Sequence, residues 1–257
     1  MSVVQFIKIK FDMVLNSKMK VTVAKNLEDA YFQSGNIIIN HLKNNQANSI
    51  GFATGATMVP VYKFLTKSLR QYNLSNIRTF NLDEYIGLSS QHPMSYAYYM
   101  YEHLFNQLSF HQSNINLLDG SASNIEKEAQ NYEKIISLGG GIDLQLLGVG
   151  RNGHIGFNEP GSKFDSVTRA VNLANITIKT NSKFFHNFND VPRTAITMGI
   201  GTILRAKKLL VVATGKEKAI ACKKMINDAP TVLCPASAIQ AHSNVTVILD
   251  QSAASLL

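Results

Sequence analysis

Leu144-Gln145-Leu146-Leu147-Gly148-Val149-Gly150-Arg151-Asn152-Gly153-His154-Ile155-Gly156-Phe157-Asn158-Glu159-Pro160 reads as a short buried strand running straight into a glycine-rich polar loop. An apolar run of this length ending at such a loop fits a strand of a parallel sheet covered by helices. From Gly148 to Pro160, four residues are glycines and five carry ionisable or amide groups. Glycine permits positive φ and close backbone approach, so the loop can fold around a small ligand while presenting His154 and Glu159 to it. Started at Gly148, the loop also completes the dinucleotide pattern Gly148-x-Gly150-x-x-Gly153. Its tail argues against that reading: residues 154–160 do not continue as an amphipathic helix, and no acidic residue closes a next strand at the usual interval. Histidine moves a proton near neutral pH, so His154 with Glu159 reads better as an acid–base pair.

Outward from this strand, the same scheme repeats. Residues 21–24, 50–53, 77–80, 209–213 and 245–249 are further apolar runs that end at polar or glycine-rich loops. Helical patterns fill the gaps. Asn26 is placed to cap a helix with Glu28 and Asp29 near its positive end and Ala30, Ile37, Ile38 and Leu42 on an apolar face. Behind Asn124, Ile125, Ala129, Tyr132 and Ile136 recur at helical spacing. The expectation is a single α/β domain, an open, mostly parallel sheet flanked by helices and Rossmann-like in a modified form. In such sheets ligands bind beyond the carboxyl ends of the strands, so the loops after positions 53, 80, 147 and 213 should converge on one site.

Bulk properties narrow the function. At 257 residues, 45% hydrophobic and 16% charged, the chain is long and apolar enough for a full core and is neither disordered nor fibrous. The net charge of +8 is spread over single lysines and pairs such as Lys207-Lys208 and Lys223-Lys224, with no dense basic run. That distribution favours a phosphorylated metabolite over nucleic acid. Cys222 and Cys234 are too few for a disulfide scaffold and lack metal-type spacing, which points to a reducing, cytoplasmic setting. No apolar stretch approaches the roughly 20 residues of a membrane span, and Lys8, Lys10 and Asp12 interrupt any signal-peptide core. Residues 1–18 read as an N-terminal extension without an assigned role ahead of a domain at 19–257; Met13 and Met19 are plausible later starts, and a native start at Met19 is the expectation.

Three more loops carry chemistry. Thr54-Gly55-Ala56-Thr57 offers backbone N–H groups and hydroxyls to an anion at a helix start but lacks the lysine of a nucleotide loop; a plain strand-to-helix turn is the alternative. In Asn81-Leu82-Asp83-Glu84-Tyr85 either carboxylate can act as a general base if burial moves its pKa toward neutrality; a helix cap or a solvated pair is the bland reading. Lys218, in Thr214-Gly215-Lys216-Glu217-Lys218, and Lys183, beside Phe184 and Phe185, are candidate cations for an anionic partner. His92, next to a tyrosine-rich run, packs a helix, with no second ligand at metal spacing; neither a metal site nor a redox cofactor is expected.

Taken together, Thr54-Gly55-Ala56-Thr57, Asn81-Leu82-Asp83-Glu84-Tyr85-Ile86-Gly87-Leu88, the loop from Gly148 to Pro160, Asn181-Ser182-Lys183-Phe184-Phe185 and Gly215-x-x-Lys218 resemble the glucosamine-6-phosphate deaminase family over roughly residues 19 to 250. The resemblance implies conversion of glucosamine 6-phosphate and water to fructose 6-phosphate and ammonia, without a cofactor or catalytic metal, by a monomer or homo-oligomer. It implies that His154, oriented by Glu159 and Asn152, opens the pyranose ring, while Asp83 moves the proton between carbons 2 and 1. Thr54, Gly55, Ala56 and Thr57, with Lys183 and Lys218, would hold the phosphate. Two positions depart from the family pattern. Lys183 stands where much of the family has arginine, keeping the charge without the bidentate geometry. Asn152 stands where other members have aspartate, and an amide supplies no negative charge.

The related 6-phosphogluconolactonases, hydrolases with a similar Gly-His loop, are the nearest rival; they lack the Asn-Leu-Asp-Glu-Tyr carboxylate pair in this form. A non-catalytic sugar-phosphate sensor is the other rival, and it would need neither acid nor base. Regulated deaminases use further basic residues after the catalytic loop. Here Ser162 and Arg169 match that pattern and Val171 replaces a lysine. Substrate saturation is therefore expected to be hyperbolic, and a sigmoidal curve relieved by N-acetylglucosamine 6-phosphate would contradict it.

Overall fold

The structure, a computed structural model, describes residues 18–44 and 47–257. The extension read at residues 1–18, apart from Lys18 itself, and the alternative start at Met13 lie outside the described residues.

Seven strands form one parallel sheet in the order β1-β10-β9-β6-β2-β3-β5. They are β1 (Lys18–Val23), β2 (Ser49–Phe52), β3 (Arg78–Asn81), β5 (Ile115–Asn116), β6 (Leu144–Gly148), β9 (Leu209–Ala213) and β10 (Asn244–Leu249). The expected α/β architecture is therefore observed. β1 starts earlier than its apolar run, because it pairs with β10 residue by residue from Lys18 to Val23. On an edge strand, the exposed lysine at position 20 costs nothing in core packing. Between them, α1 (Leu27–Leu42) and α2 (Met58–Leu69) cover one face; a Cβ on Gly35 of α1 would strike the Phe64 ring of α2 at 2.3 Å. α3 (Tyr96–His103), α4 (Ile125–Leu138), α5 (Asn175–Asn181), α6 (Ile200–Leu204) and α7 (Ala219–Ile226) complete the helices. Asn26 and Asn124 cap α1 and α4 as expected, accepting the N–H groups of Asp29 and Lys127. The core runs through both faces of the sheet, with Phe52, Phe80, Leu146, Leu147, Leu210 and Val211 all buried.

A second, antiparallel sheet was not legible in the sequence. Its order is β4-β8-β7, from β4 (Asp83–Tyr85), β8 (Thr194–Thr197) and β7 (Arg169–Asn172). β4 is three residues long and begins with two carboxylates, a composition depleted in strands, so tertiary pairing alone creates it. Tyr85, Phe157, Leu173, Ile178, Val191 and Ala195 form a small separate core beneath this sheet.

The chain runs outward from β2 to β3 and β5, then returns to β6 on the other side of β2, so the switch in winding falls between β2 and β6. These neighbours pair over only two positions, Ile50 with Leu144 and Gly51 with Gln145. Beyond those positions the two strands are not paired, and the crevice that ligands occupy in such sheets lies at the carboxyl side of this switch point. The closed end is clipped by Asp143. Its Oδ2 accepts the N–H groups of Asn48 at 2.8 Å and Ser49 at 3.0 Å, its Oδ1 meets Lys207 Nζ at 2.7 Å, and its own N–H donates to Ser49 Oγ at 3.0 Å.

Burial alone would raise the Asp143 pKa, but Lys207 and the two backbone N–H groups outweigh it and hold the carboxyl below its ordinary range. A depressed carboxyl stabilises the fold above its unfolded pKa and ceases to as pH falls through the folded one. Asp143→Asn is expected to lower unfolding free energy at pH 7 by about 1–3 kcal/mol. Its deficit relative to the parent should shrink below about pH 4 in denaturant titrations.

Candidate active site

The loops expected to converge do so around the crevice. At the end of β3 the Tyr132 hydroxyl of α4 accepts the Asn81 N–H and donates to the Asn81 carbonyl, both at 2.8 Å, so a buried helix pins the strand's end. The Leu82 carbonyl then accepts the Met198 N–H at 2.6 Å, and the chain enters β4. Successive side chains of a strand point to opposite faces, which separates the two adjacent carboxylates. Glu84 accepts N–H groups of Tyr85, Tyr96 and Ala97 at 2.8, 2.9 and 2.8 Å, the last two in the first turn of α3. It is a structural anchor. Burial pushes its pKa up to about 7 against the pull of those three donors.

Asp83 lies in register with Thr197 of β8, and a methyl group on Gly156 would sit 3.2 Å from its Oδ2. It therefore faces the Gly148–Pro160 loop. Burial, with the nearby charge of Glu84, pushes its pKa up to about 8. The ambiguity between the two carboxylates resolves by geometry, since burial raises both: one is tied into a helix start, and the other faces the loop.

The loop itself is folded by short-range bonds. The Gly150 N–H donates to the His154 carbonyl at 2.9 Å and the Gly153 N–H to the Gly150 carbonyl at 3.0 Å. The His154 ring lies flat over Gly150, where a Cβ would come within 2.2 Å of Cε1. Gly156 has φ of +56°, a conformation suited to glycine that turns the chain past Asp83. His154 Nδ1 stands 3.4 Å from Glu159 Oε2 with a quarter of the side chain exposed. Asn152 does not touch the imidazole through a hydrogen bond: its Nδ2 donates to Glu159 Oε2 at 2.7 Å, and its Oδ1 accepts the His154 backbone N–H at 3.2 Å. It reaches the ring through Glu159. Burial would raise the Glu159 pKa, but His154, Thr177 and Asn152 together bring it down to about 2.

Thr54, Gly55, Ala56 and Thr57 form the turn that opens α2. The Gly55 carbonyl accepts the Met58 N–H and the Tyr99 hydroxyl, both at 2.9 Å. Thr57 Oγ1 lies 3.4 Å from Thr214 Oγ1, which brings the β2 and β9 loops together over the intervening β6. Lys218 is half-buried at the start of α7. Burial lowers its pKa first; the Glu217 carboxylate opposes this, and the charges of Arg151 and Lys183 lower it further, so three cations from three loops share this corner with one carboxylate. Lys183 is exposed, its Nζ 4.9 Å from the Phe184 ring centroid. Such mutual repulsion beside free N–H groups and hydroxyls suits an anion with several oxygens.

Two contributors carried no clear sequence signal. Arg151 sits within the most conspicuous motif, yet only the fold brings it to Lys218. Thr177 bonds Glu159 from 18 residues away, and one threonine in an amphipathic helix looks like any other. Ser162 and Arg169 lie beyond Glu159, in contact at 3.4 Å, and with Val171 line a cleft of about 710 Å³. Among the described residues, no group of three or more His, Cys, Asp and Glu is arranged to hold a metal ion, and no helix is long and apolar enough to cross a membrane.

Fold and site together define a class: open α/β proteins that gather a buried carboxyl, a histidine–carboxylate pair and a cluster of cations where the sheet's winding reverses. Within that class, the chain belongs to the glucosamine-6-phosphate isomerase/6-phosphogluconolactonase family, whose sequence model matches residues 24–248. It is 48% identical over 241 residues to a glucosamine-6-phosphate deaminase of Geobacillus sp. (strain WCH70), covering 93% of this chain and 96% of that one. A glucosamine-6-phosphate deaminase of Staphylococcus aureus (strain JH9) is 43% identical over 238 residues, covering 91% and 94%. Among solved structures, a monomeric glucosamine-6-phosphate deaminase superposes with a TM-score of 0.90 at 41% identity, covering 93% of this chain and 100% of that one. The 6-phosphogluconolactonase from Trypanosoma cruzi, at 22% identity and a TM-score of 0.76 over 93% and 97%, shares the fold.

Gly150→Ala should leave the fold intact, because the colliding ring can swing aside, while that swing takes the imidazole off Glu159. The expected result is a loss of about 100-fold in turnover with an unfolding midpoint close to the parent's.

Proposed function

We propose that this chain isomerises and deaminates glucosamine 6-phosphate to fructose 6-phosphate and ammonia. The observation that carries the reading is a pair of carboxyl groups in opposed environments, one facing the Gly148–Pro160 loop and the other within it. Asp83 is raised to about 8, and Glu159, against His154, is held at about 2. Environments that drive two titratable groups apart assign them different tasks.

The chemistry distributes accordingly. His154, held by Glu159, delivers a proton to the ring oxygen as the C1–O5 bond breaks and the C1 hydroxyl loses its proton, giving the open aldehyde. Asp83 removes the proton from carbon 2; that electron pair forms the C1–C2 double bond of an enolamine as the aldehyde oxygen takes up a proton. Asp83 returns its proton to carbon 1, where the C1–C2 π pair takes it up while the nitrogen lone pair forms the C2=N bond of a protonated ketimine. Water adds there and ammonia departs. Burial strengthens Asp83 as a base once ionised, which proton abstraction from carbon requires. Gly55, Ala56 and Thr57, with Thr54 beside them, and Lys218, Lys183 and Arg151 hold the phosphate remote from these steps, so its binding energy orients carbons 1 and 2.

Lactone hydrolysis needs one acid–base group to activate water and gives a second buried carboxylate no work. An aldose–ketose shift needs one group at the ring oxygen and another at carbon. A sensor would gain nothing from burying Asp83 at a cost in solvation. A phosphorylated sugar carries charge that a bilayer excludes, so the proposed place of action is the cytoplasm.

A coupled assay for ammonia and fructose 6-phosphate tests the reading. Asp83→Asn should abolish deamination while substrate analogues still bind, and His154→Gln should cost at least about 100-fold in turnover. A base works deprotonated, so kcat/KM should rise with pH, about tenfold per unit, until it levels near 8, following Asp83. Near-normal turnover by Asp83→Asn, or lactone hydrolysis without ammonia release, would overturn the proposal.

A further inference from the structure

Glu159 divides its two oxygens between two elements. Oε2 takes the Asn152 amide at 2.7 Å and faces His154 Nδ1 at 3.4 Å. Oε1 accepts the hydroxyl of Thr177, a buried residue of α5. A carboxylate bonded at one oxygen can still pivot about its last bond, which would turn Oε2 away from the imidazole. Bonded at both, it cannot pivot without breaking a charge-assisted bond. The same helix is tied down elsewhere, because Asn181 Nδ2 donates to the Tyr85 hydroxyl at 2.6 Å, in the strand that carries Asp83. Thr177 therefore projects from a fixed element.

We propose that Thr177 is a positioning residue: its hydroxyl fixes the rotation of the Glu159 carboxylate and, through it, the direction in which the His154 ring is held. The titratable group facing Glu159 is His154 from its own loop; Asn152 and, from α5, Thr177 are neutral donors. Removing one donor from an ionised carboxylate raises its pKa, so loss of Thr177 should weaken the Glu159 anion as well as free its rotation.

The turnover arm of the test rests on the deaminase reading, and a second arm does not. Thr177→Val, nearly isosteric but without the hydroxyl, should lower kcat about tenfold with KM within about twofold, and Thr177→Ser should restore most of the rate. In ligand-free protein carrying carboxyl-labelled glutamate, the Glu159 signal, assigned with Glu159→Gln, should stay ionised to about pH 3 in the parent and in Thr177→Ser. In Thr177→Val it should begin to protonate at higher pH. A Thr177→Val protein with parental kcat and parental Glu159 titration overturns the proposal, and so does a Thr177→Ser protein as impaired as Thr177→Val in both. If the parent releases no ammonia, the functional reading fails while the carboxyl titration still decides the role of Thr177.

Discussion

The two-position pairing of β2 with β6 is the constraint on which the rest depends. Seven parallel strands with helices on both faces leave little room for a ligand inside, so an opening must come from strands that stop pairing early. Early parting is destabilising unless the other end is secured. Asp143 does this with two backbone donors from β2's entry and a lysine from the approach to β9, so one carboxylate joins three strands at the base. The loops above can then be irregular and glycine-rich, since what aligns them is the strands beneath.

Above that base the site combines parts of unequal rigidity. Asp83 sits on a paired strand, whose neighbour Asn81 is held by a helix tyrosine and whose neighbour Glu84 is held by a helix start. His154 lies on a glycine and leans on a carboxylate with its own supports. The cations sit differently: Lys183 and Arg151 are exposed, and only Lys218 is partly buried. In the proposed roles, proton transfer demands placement to a fraction of an ångström, whereas a phosphate accepts charge from several directions. The distribution of burial matches that difference.

Most of the parallel sheet was legible because its strands are apolar on both faces and its helices carry capping asparagines, signals that act within a few residues. The Gly150–His154 loop was legible because glycines and a histidine are rare in that density. β4 escaped because it pairs with a strand over a hundred residues away, as Asp83 with Thr197, and has no hydrophobic pattern of its own; β7 and β8 pair across a long irregular connection, as Arg169 with Thr197. The contact of Asn152 with Glu159 instead of the imidazole also escaped: spacing can place an amide near a ring but cannot say which of two acceptors it faces. For the same reason the sequence could not choose between Asp83 and Glu84. Strand alternation decides that choice, and the strand exists only in the folded chain.

Glu84, bonded into the first turn of α3, links two stretches of sequence that have no chemistry in common. Three backbone N–H donors hold it in place, and after burial its nearby charge is part of what raises Asp83. The identity of residue 84 and the backbone course of residues 95–97 are thus one inherited unit. A change that shifts the start of α3 by a single residue would take two donors from Glu84 and so alter the charge that Asp83 meets, without touching Asp83 itself. The front of that helix thus bears on the acidity of a group it never meets.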